Sequence, residues 1–210
     1  MGKHAYVGGI CGFSGDDNNI TSCHVEGSSS ISGEGDYCII GGICGENSSG
    51  SVTSCYVEGS SSITGEGDYS YIGGICGYWF GDNLSSCYVK DSMISNTSDY
   101  GETGGICGKG DSGNISASYF YDSDNTHISI DGNECRKGYL VSLNNMTISD
   151  CFTNLNVDES TLVGYNFGTV ERCYPNVGDK DTFTGKSWSD GAWSAYTIND
   201  TNWPPVLNQN

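Results

Sequence analysis

Eleven cysteines and three histidines are the side chains of this 210-residue chain best able to do chemistry. A thiol becomes a nucleophile or a metal ligand only as a thiolate, so it needs a base, a second thiol or a metal nearby. His24 beside Cys23 offers a thiol–imidazole pair, but the matching positions elsewhere in the chain hold Tyr56, Tyr88 and Tyr119, which makes His24 one more ring in a row. The zinc-knuckle and redox spacing Cys-x-x-Cys does not occur, and neither does His-Glu-x-x-His. An odd number of cysteines cannot all pair within one chain. Gly110-Asp111-Ser112-Gly113 has the look of a serine-protease nucleophile loop, yet it fills a turn where the other copies carry unrelated residues.

Carboxylates are the second candidate chemistry. Glu34 with Asp36 and Glu66 with Asp68 recur in Gly-Glu-Gly-Asp-Tyr. Brought together, they would suit calcium or the acid–base pair of a glycosidase; left apart, they are solvated acidic turns. The third copy, Ser98-Asp99-Tyr100, has lost its Glu, as a tolerant turn would. Asp122-Ser123-Asp124-Asn125-Thr126 opens like an EF-hand loop, but His127 stands where Gly is needed and Asn133 where the bidentate Glu would be. No cofactor is expected, with calcium as the one candidate. The strongest binding signal is Tyr78-Trp79-Phe80, three aromatics in a turn that is small and polar in the other copies. Exposed on a rigid scaffold they would contact sugar or protein; otherwise they fold down over a neighbouring loop. Seven Asn-x-Ser/Thr sequons sit mostly in turns, where Asn and Ser are favoured in any case.

What positions these residues is a repeat. Gly-Gly-Ile-Cys-Gly occurs at 8–12, 41–45, 73–77 and 104–108, with spacings of 33, 32 and 31 residues. Each copy leads to a second segment, such as Val52-Thr53-Ser54-Cys55-Tyr56-Val57, then to a third, such as Ile63-Thr64-Gly65, and closes on Tyr37, Tyr69 or Tyr100. A period in this range marks a solenoid, propeller or array. Three short strands per unit predict a three-faced parallel β-helix of about five to six coils, stacked about 4.8 Å apart. A propeller blade would need four antiparallel strands in a longer unit. Stacking predicts one column of Cys11, Cys44, Cys76 and Cys107 and another of Cys23, Cys55 and Cys87, with Ser118 at the next step. Exchange of Cys for Ser favours packed, reduced thiols; the alternative is a bridge between columns, such as Cys11 with Cys23. The repeat spans 1–182, with an irregular excursion at 120–140. The tail at 183–210, with Trp188, Trp193, Trp203 and Pro204-Pro205, is expected to cap the open end of the same domain.

Composition narrows the partners. Eight Lys and Arg against 26 Asp and Glu give a net charge of −18, which argues against nucleic acid and an anionic membrane as partners. No stretch approaches the roughly 18 apolar residues of a spanning helix. Thirty-two glycines and three prolines favour strands joined by tight turns. Met1-Gly2-Lys3-His4 runs straight into the repeat, as in a piece of a longer chain that is itself monomeric.

The repeats resemble GLUG motif repeats of bacterial surface proteins. The Gly-Gly-Ile-Cys-Gly copies look like that family's Gly-Gly-Leu-Val-Gly core. The best single copy is Leu162-Val163-Gly164-Tyr165-Asn166-Phe167-Gly168-Thr169-Val170-Glu171-Arg172-Cys173-Tyr174, and Asn202-Trp203-Pro204-Pro205-Val206-Leu207 is similar to the family's terminal Tyr-Pro-x-Leu. Cys in place of the usual Val is a departure. The resemblance implies an extracellular, adhesin-like β-solenoid that binds a glycan or protein and transfers no catalytic residues. The alternative is a carbohydrate-active β-helix, a polysaccharide lyase or hydrolase.

Overall fold

Runs of Ile, Val, Thr and Tyr only three to five residues long, set between glycine, serine and asparagine, cannot sustain a helix. Their backbone groups must find partners elsewhere, and each run finds them in its own repeat one period away. The computed structural model describes residues 4–124, 128–184, 186–189, 196–197, 204 and 206–207. It is a parallel β-solenoid of about five turns. One full coil consists of Tyr37–Gly41, Cys44–Asn47, Ser51–Thr53, Tyr56–Glu58 and Ser62–Glu66. Each of these strands pairs in parallel with its counterparts before and after, so five sheets, here called first to fifth in that order, run along the rod.

The register is the repeat itself. Ile63 lies opposite Ile31 and Ile94, and Val57 opposite Val25 and Val89. Inward positions are filled by Ile40, Ile43, Val52, Val57 and Ile63, all with no exposed surface. The expected three strands per coil are corrected to five, for two local reasons. The Gly-Gly-Ile-Cys-Gly segment is a corner: the first sheet ends at Gly41 and the second begins at Cys44. The second segment is broken by a residue in the left-handed region: Ser54 has φ 54°, and Ser22, Ser86, Ala117, Asp150 and Arg172 repeat the bend. A side chain in that conformation costs roughly 1–2 kcal/mol. The bend is held because its N–H reaches the next coil, as from Ser54 to the Ser85 carbonyl at 3.1 Å.

The excursion at 120–140 is also corrected. Tyr119–Tyr121, Ile128–Ile130 and Arg136–Gly138 continue the fourth, fifth and first sheets. Ile128 lies opposite Ile94 and Gly138 opposite Gly104: the burial alternation survives where the motif letters do not. The cap is partly in view. A short helix, Lys180–Thr184, carries Phe183, which packs with Trp188 against Phe152, and Trp188 Nε1 donates to the Phe183 carbonyl at 2.8 Å. The other cap residues singled out in the tail, Trp193, Trp203 and Pro205, lie outside the described residues.

The thiol columns form as expected. Cys44 lies opposite both Cys11 and Cys76, and Cys76 opposite Cys107, after which Val141 takes the place. In the second column the Cys23 N–H points at Cys55 Sγ, and Ser118 Oγ takes that role for Cys87. All eleven cysteines are free thiols, so the alternative Cys11–Cys23 bridge is not formed. Burial pushes the Cys76, Cys87, Cys107 and Cys151 thiols well up from their ordinary value, which keeps them protonated and inert at neutral pH.

Asn47, Ser70, Trp79 and Ser98 each bury a side-chain polar atom without a hydrogen-bond partner among the described residues. Ser70, opposite Cys38, is fully buried, and its Oγ has no hydrogen-bond partner among the described residues. A buried unpaired hydroxyl costs roughly 1–3 kcal/mol. Ser70→Ala is therefore expected to raise stability by about 1 kcal/mol, seen as a higher denaturant midpoint at unchanged slope; a lower midpoint would contradict this account of the site.

Candidate functional site

Outward positions of a parallel stack repeat along the rod just as inward ones do, so an aromatic recurring once per coil becomes a ladder. Two ladders form. His24, Tyr56, Tyr88, Tyr119 and Phe152 stack on the fourth sheet with ring centroids 4.7–5.0 Å apart. His4, Tyr37, Tyr69 and Tyr100 stack along the first sheet at 4.8–5.1 Å. The second ladder is the open one: Tyr37, Tyr69 and Tyr100 are 40–45% exposed.

Beside that open ladder lies a cleft of about 270 Å³, lined by Tyr69, Tyr71, Tyr100, Glu102, Lys109, Glu134, Arg136 and Leu143. The first and second sheets turn sharply into one another here, which brings Tyr71 of one against Tyr78 of the other, with centroids 5.6 Å apart. The Lys109 ammonium sits 5.2 Å from the Tyr71 ring and 4.9 Å from Tyr78, an arrangement in which each ring face attracts the cation. Lys109 also pairs with Asp111 at 3.1 Å, and the Tyr78 hydroxyl donates to the same carboxylate at 2.5 Å. Burial first, and the hydrogen bond to Asp111 next, push the Tyr78 phenol far above its ordinary value, so it stays a donor. The floor is Glu102, 5% exposed. Arg136 holds one of its oxygens at 2.7 Å and the Ser142 hydroxyl the other at 2.6 Å. Arg136 in turn lies 4.3 Å above the Tyr165 ring.

The cleft contains two of the chain's few basic side chains and balances them with two carboxylates. Its faces are aromatic, Glu102 is fixed by Arg136 and Ser142, Lys109 by Asp111, and its walls are sheet. Such a surface can stack a ring and hydrogen-bond several hydroxyls. Both oxygens of Glu102 are engaged, one by Arg136 and the other by Ser142.

The residues singled out from sequence are dispersed. Of Tyr78-Trp79-Phe80, only Tyr78 borders the cleft network. Trp79 is corrected from surface to core: it ends the strand Cys76–Trp79 on an inward position and has no exposed surface. Phe80 is 49% exposed beyond it. Strand alternation splits the triplet, so it is not one aromatic patch. Glu34 and Glu66 do fall in register, but among the described residues no three His, Cys, Asp or Glu side chains converge as metal ligands. Asp122 Oδ1 accepts the Asp124 N–H at 3.0 Å as a local turn, while Asn125, Thr126 and His127 lie outside the described residues. Ser112 Oγ donates to the Phe80 carbonyl, and Asp111 is held by Tyr78, Lys109 and Asn145, so the loop is a hydrogen-bonded turn. His24 stacks on Tyr56 at 4.9 Å, as its row predicts.

Sequence reasoning missed Tyr71, Glu102, Lys109 and Arg136. The recurring Tyr at the close of each unit was the available signal for the ladder. The charged residues break the repeat, and a repeat-based reading passes over what occurs once. A larger hollow, about 590 Å³, lies at the end face of the first described coil, where Val7, Ile10, Val25 and Ile31 line it. Among the described residues no helix is long and apolar enough to cross a membrane. Comparison with protein-family models, with curated proteins and with solved structures finds no match to this chain.

Proposed function

We propose that this chain is an extracellular structural and adhesive segment of a bacterial surface protein, which holds a neutral glycan in the cleft beside the first-sheet tyrosine ladder. The observation that carries the reading is the grouping of Tyr69, Tyr71 and Tyr100 with Glu102, Lys109, Glu134 and Arg136 around one cleft on an inflexible stack. Aromatic edges and mutually paired charges suit the apolar faces and hydroxyls of a sugar. A net charge of −18 disfavours a polyanionic one. The likeness of the repeats to GLUG arrays supports the surface setting. No reaction is assigned.

The test is a neutral-glycan array probed with the wild-type chain and with Tyr71→Ala. The wild type is expected to retain at least one glycan, and the variant to bind it at least tenfold more weakly, a difference of about 1.4 kcal/mol. Retention unchanged by Tyr71→Ala would remove the cleft from the account. Release of new reducing ends from that glycan would replace adhesion with hydrolysis.

A further inference from the structure

The cleft is one stretch of a longer trench. At the corner between the first and second sheets, outward side chains of the two sheets touch, which they could not do across a convex edge. Tyr6 meets Phe13 with ring centroids 5.7 Å apart, and two coils on Tyr71 meets Tyr78 at 5.6 Å. The floor passes in register from Tyr6 through Ile39, Tyr71 and Glu102 to Arg136. The second-sheet side passes in the same way from Phe13 to Tyr165 in five pairings. The trench is therefore straight and parallel to the rod axis, and at about 4.8 Å per coil it runs for about 24 Å. Six of the ten large apolar side chains exposed among the described residues border it: Tyr6, Phe13, Tyr37, Tyr69, Tyr100 and Tyr165. Exposure gathered along one line in this way marks a binding surface.

One wall of the trench is the open tyrosine ladder. Tyr69 has Tyr37 on one face at 5.1 Å and Tyr100 on the other at 5.0 Å, yet it is 41% exposed. What it shows to solvent is its edge, with the hydroxyl. The fourth-sheet ladder spends such hydroxyls on Glu26 and Glu58. Those of Tyr37, Tyr69 and Tyr100 have no hydrogen-bond partner among the described residues, so the wall offers one free phenol per coil.

We propose that the trench holds a single straight, neutral, β-1,4-linked hexose chain along the rod axis, one sugar per coil. This rests on the glycan reading above and adds the length, direction and linkage of the ligand. A free hydroxyl once per coil calls for a ligand that repeats at about 4.8 Å. A hexose in an extended β-1,4-linked chain advances by nearly that distance and carries equatorial hydroxyls on its edges at every step. An extended peptide presents a side chain to one side only every second residue, about 6.8 Å, and falls out of step. An α-1,4-linked chain coils and leaves a straight trench. Charge selects a neutral chain: the basic side chains of the trench are already paired, Arg136 with Glu102 and Lys109 with Asp111, which leaves no cation for a uronic acid or a sulfate.

The test is calorimetric titration of the full chain with β-1,4-linked glucose oligomers of two, four and six units, and with the α-1,4-linked six-unit chain. Affinity is expected to rise at least tenfold from two to six β-linked units, and the α-linked chain to bind at least tenfold more weakly than its β-linked counterpart. The double variant Phe13→Ala/Tyr37→Phe alters the trench outside the cleft. Phe13 is 52% exposed, and Tyr37→Phe keeps the ring stack while removing the hydroxyl, so the fold is retained, with circular dichroism as the check. It is expected to weaken the six-unit chain at least fivefold and to leave the two-unit chain unchanged. Equal affinity for two and six units, or equal weakening of both by the double variant, overturns the trench and leaves a glycan site confined to the cleft. Failure of every β-linked length, with the array still retaining another glycan, overturns the length and linkage assigned here and leaves the cleft reading standing. Displacement of the six-unit chain by an extended or polyproline peptide of the same reach, at lower concentration than by the free oligomer, would give the trench to a protein partner and overturn the proposal.

Discussion

Gly74→Val is expected to abolish cooperative folding. The second glycine of each corner faces the next coil: a Cβ on Gly74 would lie 2.2 Å from the Gly105 carbonyl oxygen and 2.5 Å from Val89 Cγ2. Gly42 stands in the same relation to Gly74 and Val57, and Gly105 to Tyr139 and Phe120. The obstacle is space between backbones, which cannot yield without separating the coils on both sides. The cost is on the order of 4 kcal/mol or more, a large part of the stability of an ordinary domain. Tyr139 shows the limit of the rule. It occupies the equivalent place one coil on, where the following turn, Glu159–Thr161, no longer repeats the corner. Gly178→Ala is the control, since a Cβ there meets nothing within 4 Å. A melt of Gly74→Val as sharp as that of Gly178→Ala, and within a few degrees of it, would refute the packing described for the corners.

The second large effect is expected at Asp150, which ties the tail to the last coils. It occupies the left-handed bend, at φ 54°, where other coils have Ser54, Ser86 or Ala117, and is 4% exposed. Arg172 donates to it through Nε at 2.8 Å and Nη2 at 3.1 Å, and Ser189 through its backbone N–H at 2.9 Å and its hydroxyl at 2.8 Å. Asp150→Ala removes the acceptor for all four. Because Arg172 keeps contact with solvent, the loss is set at about 2–3 kcal/mol rather than the 3–5 of a wholly buried pair. It should be read as faster amide exchange through 173–189 with the inner coils unchanged. Exchange in that segment equal to wild type would contradict the role given to Asp150.

Acid should act in the same direction. Burial alone would raise the Asp150 carboxyl, but the Arg172 and Ser189 hydrogen bonds outweigh it and hold the group below its ordinary value. A carboxylate depressed in the folded state contributes stability that is present above its unfolded pKa, about 3.9, and is lost as pH falls through the lower folded value. The tail is therefore expected to stay docked near pH 5 and to loosen only below the ordinary carboxylate range, a transition that Asp150→Asn should remove.

The stacking was legible in the sequence because a solenoid maps sequence period directly onto contact: Cys11, Cys44, Cys76 and Cys107 are adjacent because they are spaced alike. The number of strands per coil was not. Nothing in Val52-Thr53-Ser54-Cys55-Tyr56-Val57 marks Ser54 as a bend, since serine has no special preference for positive φ, and the bend depends on a hydrogen bond to the next coil. Trp79 was misread because a strand buries alternate residues whatever their size. The cleft depends on Glu102 and Lys109 from one coil and Arg136 from the next, and none of the three recurs. Only the fold tells which unrepeated residues meet.

The hydrogen bonds of all five sheets point along the long axis. A pull applied at the two ends thus loads them head-on, and the weakest layer parts while the others hold. Each layer that parts pays out some thirty residues of slack, roughly 100 Å when straightened. Under load the chain would behave as a ratchet of small sacrificial extensions, dissipating a tug in instalments while leaving the layers that have not yet parted, and anything bound to them, in place.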